Sequence, residues 1–203
     1  MCKGCYAMRL KKEEKAKRIL SAAIKVFAED GYREAKISRI AQEAGVAHGS
    51  VYTYFKNKED LLFKMIATIW QELGERLDAI RENKELDPLQ KVHAMVATTF
   101  DVFTANPKLG MVVIKEHNTL RKKGMDASRS EYDHLVLTFS KTFEQGVEEG
   151  FFDPTIDAPT FLAFVFGGLY HLIHRWADNP KLIDIDFIRQ QSAYYIQQAL
   201  IKM

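Results

Sequence analysis

Apolar positions in this chain recur almost throughout at the i, i+3, i+4 spacing of an amphipathic helix, and the alternation of a half-buried strand is nearly absent. The first stripe, Ile19, Leu20, Ala23, Ile24, Val26 and Phe27, predicts a helix from about Lys12 to Asp30, closed by Gly31. Ser38 can cap a short helix to about Ala44, with Ile37 either before it or already inside it. Gly45 ends that helix, and a second short one follows at about His48–Phe55. Asn57, with Asp60 three residues on, starts a long helix to about Asn83 along the stripe Leu61, Leu62, Met65, Ile69, Leu73, Leu77 and Ile80. Asp87–Pro88 opens the next helix, and Asn106–Pro107 opens a short one towards Glu116. The charged stretch Arg121–Arg129 reads as a loop or frayed end before a helix of about Glu131–Glu149, stopped by Gly150. A strongly apolar helix runs from Asp157–Pro159 to about Asp178. Asn179–Pro180 breaks it, and Asp184 or Asp186 opens the last helix, to about Ile201. The expectation is an all-α chain of nine helices, with no internal repeat.

Composition narrows the class. With 203 residues, 47% hydrophobic and 28% charged, the chain can bury a core without a metal or disulfide staple. No uncharged apolar run reaches the ~18 residues of a membrane span, and no signal peptide is evident, so no membrane partner and a cytoplasmic location are expected. Cys2 and Cys5 form a C-x-x-C pair without the further ligands of a zinc site or the strand–helix context of a redox fold. They fall in an expected disordered leader, residues 1–11, in which Met8 is an alternative start to Met1. The net charge of +2 divides unevenly. Residues 1–60 hold 13 Lys+Arg and 8 Asp+Glu, a net of +5, and the remainder nets −3. A basic front on an acidic body is a hint of nucleic-acid binding that chance scatter also explains.

The informative stretch is Ile37–Leu62, ISRIAQEAGVAHGSVYTYFKNKEDLL. Ile40, Ala41 and Ala44 give the first short helix an inward face, Gly45 makes the turn, and Val46 and Val51 reach back into a small core with Phe55 a turn beyond. His48, Ser50, Thr53 and Tyr54 are left outward. Such a pair is a helix-turn-helix, whose second helix enters the major groove, or an ordinary αα-hairpin of a bundle.

Residues from about Leu20 to Leu62 resemble the DNA-binding domain of the TetR family of bacterial one-component regulators. The matching residues are Ala23, Phe27, Gly31, Tyr32, Ile40, Ala41, Ala44, Gly45, Val46, Gly49, Ser50, Val51, Tyr52, Tyr54, Phe55, Lys58, Glu59 and Leu61, and the run G-V-x-x-G-S-V-Y-x-Y-F-x-x-K-E-x-L is specific. The resemblance implies a helix-turn-helix domain over 12–56 and a ligand-binding and dimerisation domain over 57–203. It places His48, Ser50, Tyr52, Thr53 and Tyr54 towards DNA, with Tyr52 alternatively half buried against the first helix. Lys58 at the start of the fourth helix would grip a phosphate. Tyr32, Lys36 and Ser38 are further phosphate candidates and Arg39 a weaker one. At Lys36–Ile37 the chain departs from the family, which often starts its second helix with Thr.

The resemblance also implies a homodimer reading palindromic double-stranded operator DNA, since twofold protein and DNA match. The penultimate helix is apolar on more than one face, with Gly167–Gly168 permitting close approach. Phe166, Leu169 and Ile173 from it, and Phe187, Ile188 and Tyr195 from the last helix, are the dimer candidates. Met95, Phe100, Phe103, Met111, Phe139, Phe143, Phe161, Phe164 and His171 are candidates for a sensor pocket taking an apolar effector, although core packing explains each singly. His171, His174 and Asp178 read as polar contacts at the dimer or pocket edge rather than a metal site. Val46–Asp60 is also worded like the acyl-CoA-responsive regulators of fatty-acid degradation in this family. Lys115, Arg121, Lys122, Lys123 and Arg129 would then meet CoA phosphates, or form a solvated loop. No catalytic constellation, metal or cofactor is expected. The expected function is a ligand-released repressor. The alternatives are an efflux-pump regulator sensing hydrophobic compounds and, lower, a helical enzyme or scaffold.

Overall fold

The computed structural model describes residues 3–105, 107, 110, 112 and 127–201, with side chains from 11–105, 107, 110, 112 and 132–201. Eight helices and no strand lie among the described residues. They are α1 (Lys3–Asp30), α2 (Ile37–Glu43), α3 (His48–Tyr54), α4 (Lys58–Glu82), α5 (Pro88–Thr104), α6 (Ala127–Glu148), α7 (Ala158–Asp178) and α8 (Ile185–Leu200). The short helix expected towards Glu116 lies, but for Pro107, Gly110 and Val112, outside the described residues, as does most of the Arg121–Arg129 stretch.

Two expectations are corrected at the front of the chain. The leader is not structureless through residue 11, because the backbone is helical from Lys3. Residues 3–10, KGCYAMRL, contain no proline, and the i, i+4 pairs Glu13–Lys17 and Glu14–Arg18 behind them support a helix that continues outward past its apolar stripe. Ser38 does not cap α2. The extended residue before the helix is Lys36 (φ −104°, ψ 137°), Ile37 is the first helical residue, and no side chain closes that end.

The other helix ends follow their local chemistry. Asn57 Oδ1 accepts the Asp60 amide at 2.7 Å. Asp87 and Gln90 form a reciprocal capping box, with Pro88 in the first turn. Asp157 accepts from the Thr160 amide, and Asp184 rather than Asp186 starts α8, accepting from the amides of Asp186 and Phe187. Gly31, Gly45 and Gly150 have φ of 77°, 62° and 79°, the left-handed region that terminates helices.

One continuous core runs from Ile19, Ala23 and Phe27 of α1 through Ile40, Val51 and Phe55 to Leu61, Leu62, Met65 and Ile66 of α4. It continues into the body through Leu73, Leu77, Met95, Phe100, Leu135, Leu162 and Leu200. Helix α4 belongs to both regions. It packs on α1 of the front and on α5 and α6 of the body, so it is the mechanical link between them.

Candidate nucleic-acid interface and effector pocket

Helices α2 and α3 are positioned from behind by apolar contacts and from the flanks by charge. Ile40, Ala41, Ala44, Val51 and Phe55 are buried, and the small Ala41 and Ala44 let the helices lie close. Arg18 Nη2 donates to the Ala44 carbonyl at 2.5 Å, tying the inter-helix turn to α1. The left-handed Gly45 sits beneath that guanidinium, 3.0 Å from where a Cβ would stand. Arg39 pairs with Asp30 and, at 2.6 Å, with Glu29, and Lys25 pairs with Glu43 at 2.8 Å. Arg39, a weak phosphate candidate, thus fastens α2 to the end of α1. Its carboxylate partners raise its pKa, led by the Asp30 hydrogen bond.

The recognition helix presents its other side to solvent. His48, Tyr52 and Thr53 are exposed, and Ser50 and Tyr54 are half-buried. Tyr52 is 49% exposed and meets the His48 ring edge-on at 5.4 Å, one turn earlier. Gly49 is exposed, and an added Cβ there would meet nothing within 4 Å. A glycine that neither a turn nor internal packing requires leaves the α3 backbone bare on the outward side. It is not among the residues the sequence singles out, because glycine has no side chain to which a contact can be assigned.

Lys58 is engaged within the chain. Its ammonium donates to the carbonyls of Arg33 (2.8 Å) and Ala35 (3.1 Å) and lies 4.8 Å from the centre of the Tyr32 ring. Tyr32 in turn packs edge-on against Phe27 at 5.3 Å. The start of α4 is therefore strapped to the α1–α2 turn. Arg33, Lys36, Ser38 and Lys56 remain exposed around it.

In the body, two cavities flank α7. The interior one, about 60 Å³, is walled by Trp70, Leu73 and Leu77 of α4, Thr99 and Phe103 of α5, Tyr132 and Leu135 of α6, and Phe166, Leu169, Tyr170 and Ile173 of α7. Its rings form an edge-to-face chain, Phe103–Trp70 at 5.4 Å, Trp70–Tyr132 at 6.4 Å and Tyr132–Phe166 at 5.7 Å. Burial first, then Asp133, raises the Tyr132 phenol pKa, keeping it a neutral donor. The second cavity is an outer groove of about 530 Å³ between α7 and α8, bordered by Phe161, Phe164, Leu172, Tyr195 and Ile196.

These positions reassign much of the candidate list. Of the pocket candidates, Phe103 lines the interior cavity, whereas Met95, Phe100, Phe139 and Phe143 are buried core residues lining neither cavity. Phe161 and Phe164 border the outer groove, and Phe164 is 82% exposed. His171 is exposed and lines neither, and Met111 lies outside the described residues. Of the dimer candidates, Phe166, Leu169 and Ile173 face the interior cavity, although Leu169 also touches the groove. Phe187 and Tyr195 are exposed and Ile188 half-buried. For the α7 residues the reason is that the helix is apolar on more than one face, so its periodicity does not tell which face turns inward. His174 pairs with Asp178 at 3.3 Å, and no cluster fit to hold a metal occurs among the described residues. Among those residues no helix is long and apolar enough to cross a membrane.

Known proteins share this arrangement. Residues 19–65 match the family model for bacterial regulatory proteins, tetR family, and residues 85–179 match a tetracyclin repressor-like C-terminal domain. The fatty acid metabolism regulator protein of Bacillus subtilis (strain 168) is 25% identical over 180 residues, covering 86% of this chain and 89% of the relative. The fatty acid degradation regulator FadR from Bacillus halodurans superposes with a TM-score of 0.78 at 28% identity, covering 90% of this chain and 94% of that one. FadR from Bacillus subtilis in complex with stearoyl-CoA gives 0.79 at 23% identity, covering 90% and 98%, a likeness of fold. A three-helix front with an outward recognition helix, joined by α4 to a helical body with its own cavity, is matched by family models in both parts, and the chain belongs to the TetR family of DNA-binding transcriptional regulators.

Proposed function

We propose that the chain is a ligand-released repressor that binds a palindromic operator as a homodimer and answers to a long-chain acyl-CoA. The observation that carries the DNA reading is the bare outward side of α3, where His48, Ser50, Tyr52, Thr53 and Tyr54 surround an unencumbered Gly49. Hydroxyls and imidazole bond base edges or phosphates, and tyrosine edges meet thymine methyls. Lys36 and Lys58 flank them as phosphate ligands.

The dimer reading rests on the α7–α8 face. Phe164, Phe187 and Tyr195 are 82%, 59% and 64% exposed, and an added Cβ at Gly167 or Gly168 would meet nothing within 4 Å. Two adjacent glycines inside a helix destabilise it, and no contact among the described residues accounts for them. A second copy packed across this face would cover the aromatic residues and approach the glycines closely.

The effector reading draws on the relatives, one of which is described with stearoyl-CoA, and on the apolar walls of the interior cavity. The aromatic chain Phe103–Trp70–Tyr132–Phe166 supports a second reading, a regulator of hydrophobic aromatic compounds. The test is binding of the DNA upstream of the chain's own gene, with and without stearoyl-CoA. Saturable, salt-sensitive binding to a palindrome, weakened by stearoyl-CoA, is expected. Uniform weak binding to all DNA would overturn the operator reading, and release by flat aromatic compounds alone would select the second effector class.

A further inference from the structure

The α4–α6 contact has two faces running side by side. On one, Leu73 and Leu77 of α4 and Tyr132 and Leu135 of α6 wall the interior cavity. On the other, one step round each helix, Asp78 accepts hydrogen bonds from His134 Nε2 at 2.8 Å and Thr138 Oγ1 at 2.9 Å. A turn earlier the His134 ring lies directly on Gly74, with Cδ2 3.2 Å from where a Cβ would stand, so no α4 side chain separates ring from backbone. Thr138 is almost fully buried, and Arg81 Nε stands 3.8 Å from the same carboxylate. We infer that Asp78, His134 and Thr138 form a pin that holds α4 against α6 and sets how strongly cavity filling is transmitted to the DNA-binding helices.

The inference rests on the effector reading above, because it needs a ligand that enters between α4 and α6. The pinned cavity, about 60 Å³, has room for a few water molecules, whereas sites for drug-sized ligands run to roughly 300–1,000 Å³. An acyl chain or a ring system therefore requires the cavity walls to part, and the pin resists parting along the α4–α6 wall. Helix α4 does not move alone. Its first residue, Lys58, is strapped to the carbonyls of Arg33 and Ala35, so displacement of α4 drags the turn that leads into α2. The pinned arrangement and the ligand-filled one are then two states with opposite preferences for DNA and effector. Asp78, His134 and Thr138 line neither cavity and lie outside the recognition helix, which makes them positioning residues.

The experiment compares the full chain with its Thr138→Val and Asp78→Asn variants, well below their melting temperatures. DNA affinity is read by anisotropy on a fragment from upstream of the gene, and stearoyl-CoA binding by the fluorescence of Trp70 in a Trp176→Phe background. Loss of the pin shifts the two-state balance, so Thr138→Val should weaken DNA binding about fivefold and tighten stearoyl-CoA binding by a similar factor. Asp78→Asn keeps an acceptor oxygen and should fall between wild type and Thr138→Val. Opposite shifts in two affinities are a signature that general loosening does not produce. If both variants are folded and DNA affinity is unchanged, or both affinities fall together, the pin is overturned. If stearoyl-CoA fails to bind even the wild-type chain, the effector reading falls, and the pin stands or falls on the DNA measurement alone.

Discussion

Gly49 occupies the second position of the recognition helix, where a methyl group would meet no atom of the chain. Its φ lies outside the left-handed region, so alanine fits the backbone without strain. Gly49→Ala should therefore stabilise the fold by roughly 0.5–1 kcal/mol, through a smaller loss of chain entropy. The same methyl would stand between the helix and DNA, so operator affinity should fall. A melting curve and an anisotropy titration on one sample check the two effects, and a stabilised variant with full affinity would remove Gly49 from the interface. Lys36 provides the matching test of charge. It is exposed beside the strapped turn, and if it holds one phosphate, Lys36→Ala should lower the slope of log affinity against log salt by about one.

At the scale of elements, the α2–α3 turn depends on one backbone conformation. Gly45 has φ 62° and lies under Arg18, so Gly45→Ala meets both strain and a crowded guanidinium. It should destabilise the front domain by about 1 kcal/mol or more and weaken DNA binding with it, as a melt and a shift assay would report. The α4–α6 junction makes a different prediction. Burial raises the pKa of Asp78, but hydrogen bonds from His134 and Thr138 outweigh it, and the net effect holds the carboxyl below its ordinary 3.8. The folded chain thus binds the Asp78 proton more weakly than the unfolded chain does. The stability contributed by the ionised group is fully present above that ordinary value and is lost as the pH falls through the lower folded one. In acid melts, Asp78→Asn should start less stable at neutral pH and lose less below about pH 4, so the two curves converge.

For the whole molecule, the decisive surface is the one α7 and α8 leave uncovered. Phe164 is 82% exposed, so Phe164→Glu should leave the single chain folded. If the α7–α8 face is the proposed twofold contact, two carboxylates buried in its apolar groove should split the dimer. Sedimentation should then show the single-chain mass, with operator affinity reduced at least tenfold because the two half-sites are no longer bound together. A dimer that survives the change would move the interface elsewhere. The uneven charge also has its place at this scale. Part of the basic excess of the front is spent within the chain, in Lys25–Glu43 and Arg39–Glu29/Asp30. Arg33, Lys36 and Lys56 remain exposed near the recognition helix.

The sequence alone determined whatever is settled within a few residues. Helix ends at Asn57, Asp87, Asp157 and Gly45, and the helix-turn-helix itself, follow from caps, turns and stripes whose partners lie three or four positions away. The tertiary structure decided what depends on phase and distance. Helix α7 is apolar on more than one face, so only packing could send Phe166, Leu169 and Ile173 inward and leave Phe164 and His171 outside. Asp78 meets His134 and Thr138 across 56 and 60 residues, and Lys58 reaches carbonyls 25 and 23 residues back. No local pattern encodes such pairs, because they exist only once the core has fixed how the helices cross.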